Sequence, residues 1–350
     1  MSMKFLRRLC AVVIGITFIV SGLSKIMDPT GTMLIVTEYV RLMHLGFIIP
    51  SAKVFGVMLS TVEALTGIAL VTGVLRKVAA WITVWLVGVF TIITLCLLIM
   101  NPAMDCGCFG DAIHLNHLQS FLKNVALAAL CAIAFIPLRS IGKPKPRKWV
   151  GFGLASLAIC YAVLYSNTHI PILDFTEFAP GCELMASLDD EDDWDDSKTY
   201  PILSFRDSQN QYCDELAVEG PVVTLSVYEP SKANWERIHK HYNQILEAGA
   251  KPLLLVASYP LEIDRFDIPI DMTVYYADYK TLITLNRSNG GASYFYNGEL
   301  IEKWHHRAFP SSIEQHIQAD PVERGSRFVA GRRIKSQAFC LGLAIILIAL

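Results

Sequence analysis

An α-helical membrane bundle followed by an α/β extracytoplasmic domain is the fold class this sequence predicts, and three observations predict it. First, 53% of the 350 residues are hydrophobic, only 18% are charged and the mean hydropathy is +0.40, which is too apolar for an ordinary soluble chain of this length. Second, the apolar residues gather in the first half as five runs, each close to the ~20 residues that cross a ~30 Å hydrocarbon core. Third, beyond residue 200 the pattern changes to alternating strand and helix periods. The formal net charge of −2 decides little. No basic stripe or recognition motif points to nucleic acid, and no phosphate-binding glycine loop is present.

The five runs cover about 9–27, 54–74, 78–100, 118–137 and 149–166. Lys4, Arg7 and Arg8 precede the first, Arg76 and Lys77 separate the second from the third, and Arg139, Lys143, Lys145, Arg147 and Lys148 separate the fourth from the fifth. The opposite loops hold only Lys25, Arg41 and Lys53. The positive-inside rule therefore puts the amino terminus in the cytoplasm, and everything from about 167 to 333 outside it. In a diderm bacterium this describes a multi-pass inner-membrane protein with a periplasmic C-terminal domain. The first run is long, lacks a small-residue cleavage pattern and continues into SGLSKIMDP, so it reads as a retained helix rather than a signal peptide. The last run, 338–350, is short for a span and has Arg332, Arg333 and Lys335 at what would be its outer end. It reads as a marginal sixth helix or an interfacial anchor.

Between the third and fourth runs lies CGCFGD, 106–111, which places a pair of thiols at the outer rim of the membrane. A dithiol there can exchange electrons with a lipid-soluble carrier such as a membrane quinone on one side and a soluble protein on the other. A Cys-x-Cys pair closes on itself only through a sharp turn, which Gly107 permits. The small ring so formed is strained, and strain marks a labile or catalytic disulfide. The alternatives are a static clip of a tight turn, or metal binding. For the metal reading, Cys106 and Cys108 are followed by His114 and His117, a set suited to copper or zinc. Both histidines read equally as interfacial residues ahead of the fourth helix.

Polar residues inside apolar runs usually have a partner or a use. Glu63 lies near the middle of the second run, Lys25 near the outer end of the first, and Lys123 with Asn124 a turn or two into the fourth. Lys123 either favours the thiolate of Cys106 or Cys108 or simply snorkels to the surface. Glu63 is either a neutral packing carboxyl or a group that handles protons or contacts a quinone.

The segments GITFIVSGLSKIMDPTG and STVEALTGIALVTG, together with the CGCFGD loop, resemble the DoxX/MauE superfamily of small membrane proteins, and the loop favours its MauE-like branch. The resemblance covers roughly the first 165 residues and implies a four-helix bundle with an added helix. It also implies that Cys106 and Cys108 are the family's thiol pair. MauE-like proteins are implicated in methylamine utilisation, where a disulfide-rich dehydrogenase subunit must be oxidised correctly.

After the fifth run, 167–199 contains DDEDDWDD, 189–196, and reads as a solvated acidic connector. Beyond it, 222–228 is a β-branched strand pattern and 232–248 an amphipathic helix. Strand patterns follow at 253–258 and 272–277, then a short helix at 279–285. Runs at 292–296 and 300–304 flank Asn297-Gly298, a strong hairpin signal. This α/β order, ending in YFYNGELIEKW, looks like the thioredoxin fold over 200–319. The resemblance fails where thioredoxin chemistry would sit. The strand–helix junction reads YEPSKANW, 228–235, with no cysteine, and the cis-proline position is Gly290. The domain is therefore expected to be degenerate and to bind or dock a partner.

Cys182 and Cys213 are candidates for a disulfide that ties the connector to the domain, or for relaying electrons to the loop. Cys10, Cys96, Cys131, Cys160 and Cys340 lie in apolar runs and read as packing residues. The functional expectation is a membrane thiol–disulfide oxidoreductase, a relay supporting disulfide formation or maturation of a periplasmic protein client. The alternative is a non-catalytic assembly or metal-handling factor.

Overall fold

The computed structural model describes residues 3–102, 104, 106–136, 144–187 and 200–349. It divides into two compact units, Met1–Asn167 with Ser336–Leu350, and Thr168–Lys335. Arg139, Lys143 and the acidic run 189–196 lie outside the described residues.

The first unit is helical: α1 (Met3–Met27), α2 (Pro29–Leu42), α3 (Ala52–Thr72), α4 (Arg76–Met100), α5 (His117–Phe135) and α6 (Pro146–Ser166). Five of the helical stretches in this unit, α2 being the exception, are long and apolar enough to cross a membrane, and they coincide with the five predicted runs. Helix α2 was not among those runs. Its start is nevertheless written locally, because Asp28 caps it by accepting from the Gly31 amide at 2.9 Å and Pro29 fills the first helical position.

Small residues bring α1 and α3 together. A Cβ on Gly22 would lie 2.7 Å from the Ser60 carbonyl, and one on Gly67 would lie 2.5 Å from the Gly15 carbonyl. Such close backbone approach substitutes for the hydrophobic drive that lipid does not supply. Arg8 donates to the Leu70 carbonyl at 2.7 Å and also to that of Val71, satisfying orphan acceptors at the end of α3. Arg7 donates to the Ile136 carbonyl at 3.1 Å, just after α5. The basic residues Arg7, Arg8 and Arg76 thus mark one end of the bundle. The end of α1, the end of α4 and the start of α5 form the other.

The run at 338–350 belongs to a longer helix, Pro321–Ala349. Its last turns join the first unit, where Leu343 shares a buried cluster with Ile19, Ile68 and Ile159.

The second unit is built on five strands: β2 (Pro221–Val227), β3 (Lys251–Val256), β4 (Val274–Tyr276), β5 (Gly291–Tyr296) and β6 (Glu299–Trp304), in the order β4-β3-β2-β5-β6. The pairs β2–β3 and β3–β4 are parallel, whereas β2–β5 and β5–β6 are antiparallel. Helix α7 (Trp235–Glu247) makes the crossover from β2 to β3 and buries Ile238, Tyr242 and Ile245 against one face. On the other face, Leu282 and Leu285 of α8 (Tyr279–Leu285) join a second core with Phe178, Leu203 and Phe205. The hairpin turns at Asn297 and Gly298, both with positive φ, as a two-residue turn matched to strand twist requires.

Residues that follow the last membrane helix also fold onto this sheet. The Gly181 amide donates to the Leu300 carbonyl at 2.7 Å, and the Leu300 amide to the Cys182 carbonyl at 2.9 Å. Asp174 from the same segment meets Lys303 at 2.8 Å, with side chains only 6% and 3% exposed.

Candidate functional site: the dithiol loop

The loop between α4 and α5 is pinned at both ends. Asn101 ends α4 in a left-handed conformation. Asn116 opens α5 through a capping box, accepting from the Gln119 amide at 2.8 Å while the Gln119 side chain accepts from the Asn116 amide at 3.1 Å. His117 Nε2 lies 3.0 Å from the Pro102 carbonyl and ties the two ends together. Between them, Cys108–Asp111 forms a short extended segment, β1.

Within the loop, Gly107 has φ +60, a left-handed turn that folds Cys106 and Cys108 toward each other. The backbone on either side is held from neighbouring helices. Tyr39 of α2 donates its hydroxyl to the Cys106 carbonyl at 2.6 Å, and Ser21 of α1 lies 2.7 Å from the Cys108 carbonyl. These contacts fix the loop against the end of the bundle.

The two sulfurs share a hydrogen bond. Cys106 is 5% exposed, and its sulfur also accepts from the Ser120 hydroxyl at 2.8 Å and from the Cys108 amide at 3.4 Å. Cys108 is half-buried. Its thiol is pulled down to about 5, first by the hydrogen bond from Cys106 and then by the charges of Lys123 and Lys25, against the opposing effect of burial. Cys106 moves the other way, because it supplies that hydrogen bond and is itself buried. The environment thus favours the thiolate at Cys108 and the protonated thiol at Cys106. Lys123 Nζ stands 4.8 Å over the Phe109 ring and hydrogen-bonds to the Cys108 sulfur.

Beneath the loop is a buried ion pair. Lys25 reaches both oxygens of Glu63, at 2.9 and 2.8 Å, with Glu63 1% exposed. Ser21 Oγ lies 2.9 Å from Glu63 and 2.7 Å from the Cys108 carbonyl. Its single proton serves one of them at a time. Sequence reasoning singled out Lys25, Glu63 and Lys123 as polar residues in apolar runs, and the structure brings all three to the loop. It missed Ser21, Tyr39 and Ser120, since nothing marks one hydroxyl among the many in these helices.

Other candidates lie elsewhere. Among the described residues, no group of three or more His, Cys, Asp and Glu side chains gathers as a metal ion would need, and His117 is engaged with the Pro102 carbonyl. Cys182 and Cys213 are separate free thiols in one apolar cluster, and burial pushes Cys182 up to about 12.

Fold and site together define a class: a multi-pass helical membrane unit that presents a close dithiol at one end, followed by a mixed five-stranded α/β unit. Residues 3–137 match the family described as methylamine utilisation protein MauE. That match takes in α1 to α5 and the dithiol loop, and leaves α6 and the whole second unit outside it. No curated protein and no solved structure matches the chain.

Proposed function

We propose that this protein is a membrane thiol–disulfide relay in which Cys106 and Cys108 pass between disulfide and dithiol to oxidise an exported client. The observation that carries the reading is the Cys106–Cys108 pair folded together at the Gly107 turn and fixed by Tyr39, Ser21 and Ser120, with the Cys108 thiol drawn down by Cys106 and Lys123. A stabilised thiolate lowers the energy of the reduced pair, which makes its disulfide an oxidant toward other thiols. In the exchange, a client thiolate attacks the more exposed Cys108 sulfur, the Cys106–Cys108 bond breaks, and Cys106 leaves. A second client thiol then attacks the mixed disulfide and releases the client disulfide and the reduced pair. Two electrons and the proton of the second client thiol pass to the loop, the proton ending on Cys106.

The match to MauE directs the client toward methylamine utilisation and the maturation of a disulfide-rich dehydrogenase. The gathering of Arg7, Arg8 and Arg76 at the end of the bundle opposite the loop favours an extracytoplasmic loop under the positive-inside rule, and that compartment sustains disulfides. The strand order β3-β2-β5-β6, with a crossover helix and a closing hairpin, favours a thioredoxin-like second unit. With no cysteine between Tyr228 and Trp235, that unit recruits the client instead of exchanging thiols with it.

Single Cys106→Ser and Cys108→Ser variants, expressed in cells and quenched with acid, test this reading. Cys106→Ser should accumulate a covalent client through Cys108, seen as a reducible higher-mass band, and Cys108→Ser should not. Equal client recovery from both variants without a covalent bond would instead describe an assembly factor that binds without exchange.

A further inference from the structure

Below the dithiol loop lies a cavity of about 340 Å³ enclosed by α1 to α5. Ile35, Val36, Phe55, Leu59, Phe90 and Leu127 give it a mainly apolar wall. Its polar residues are joined to one another at the end where Cys106 and Cys108 form part of the wall. There Lys123 meets Cys108, and Lys25 and Glu63 connect through Ser21 to the same loop. Phe55 lines the cavity and is also exposed on the outer surface of α3, and Leu45, in the turn after α2, lines it and is exposed as well. The cavity thus reaches an apolar surface, so an occupant enters from lipid rather than from water.

We propose that this cavity binds the ring of a membrane quinone, which reoxidises the Cys106–Cys108 pair. This rests on the relay reading, because a relay that oxidises its client must itself be reoxidised. The exchange balances: the Cys106 S–H bond breaks and one S–S bond forms, while two electrons, the Cys106 proton and one proton from solvent convert the quinone to a quinol with two new O–H bonds. The pair releases the two electrons that a quinone takes up. The volume is at the lower end of the ~300–1,000 Å³ typical of small-molecule pockets, suited to a ring and the first units of its tail while the rest stays in lipid. The ring's carbonyl oxygens need donors at the reacting end, and the Lys123 and Lys25 ammonium groups, with three N–H bonds each, supply them. A phospholipid acyl chain would fill the apolar part and leave this polar end unused.

The test uses the full chain in lipid nanodiscs, reduced and freed of reductant. It is mixed with a fully substituted benzoquinone carrying one prenyl unit or, in parallel, with diamide, a water-soluble thiol oxidant. Wild type should form one quinol per Cys106–Cys108 disulfide, and Cys106→Ser and Cys108→Ser should form none. Bound quinone should slow alkylation of Cys108 in Cys106→Ser, which cannot form the loop disulfide, followed at that residue by peptide mass. Filling the cavity with Val36→Trp should lower the ratio of quinone-driven to diamide-driven oxidation by about tenfold, as overpacking of this size predicts. Should Val36→Trp fail to fold, protection of Cys108 in Cys106→Ser still decides. Oxidation by diamide without quinone reduction would overturn the quinone site and leave the relay standing. Failure of the pair to oxidise with either reagent would overturn the relay as well. Quinone reduction with no protection of Cys108 and an unchanged Val36→Trp ratio would put the carrier elsewhere and overturn this site.

Discussion

Gly107 is where the chemistry of the loop meets its steric limits. A Cβ there would stand 2.3 Å from Ile35 Cγ2, and the residue already sits at φ +60, a conformation costing an L-residue about 1–2 kcal/mol. Gly107→Ala should therefore separate the sulfurs and abolish client trapping, as read by the mixed-disulfide band. Adding Ile35→Ala should restore part of it by removing the clash and leaving the backbone cost. The need for a turn at Gly107 was legible in the Cys-Gly-Cys spacing, whereas Ile35 was not, since it lies on a helix the apolar pattern did not reveal. Cys108 gives a second test at this scale. With its thiol near 5, it is already thiolate at pH 6, so its alkylation rate should stay nearly flat from pH 6 to pH 8. An ordinary thiol with a value of ~8.5 would gain about tenfold per unit over most of that range. Lys123→Met removes a cation that favours the thiolate. The thiol value should then rise; the first unit of that rise should roughly halve alkylation at pH 6, and only further units should lower it by close to tenfold each.

Among the elements, α1 and α3 carry the main structural commitment of the membrane unit. They approach through Gly15, Gly22 and Gly67 and bury Lys25 against Glu63 across the contact. Removing one partner strands the other charge, at about 3–5 kcal/mol. Glu63→Ala should accordingly lower the thermal stability of the detergent-purified protein, whereas the double variant Lys25→Met with Glu63→Met should lie closer to wild type. If the single and double variants were equally stable, the ion pair would not be holding these helices. Each charge was visible in the sequence as an anomaly in an apolar run. Their pairing was not, because helix packing joins positions 38 residues apart. In the second unit the strands and α7 were legible from period and turn chemistry, with boundaries moved by one to three residues. The segment before the acidic run reads in sequence as a connector. It pairs with β6 through backbone groups at Gly181 and Cys182, which any residue carries, so its side chains could not announce that pairing.

Over the whole molecule, five apolar helices, a dithiol turn and a five-stranded sheet follow one another in a single chain, and the match to MauE covers the part that holds the thiols. The gathering of Arg7, Arg8 and Arg76 at one end of the bundle was readable from Lys and Arg positions. The proton-sharing between Cys106 and Cys108 was not, since it depends on Ser120, Lys123 and the Gly107 turn meeting in space. Thiol labelling in intact cells tests the relay most directly: a membrane-impermeant maleimide is applied before and after an impermeant reductant, and Cys106 and Cys108 are resolved from the other cysteines by peptide mass. A relay at the outer rim should show both residues unlabelled at first, labelled after the reductant, and protected again once an oxidant is restored. Labelling only after cell lysis, or labelling indifferent to reductant and oxidant, would contradict it.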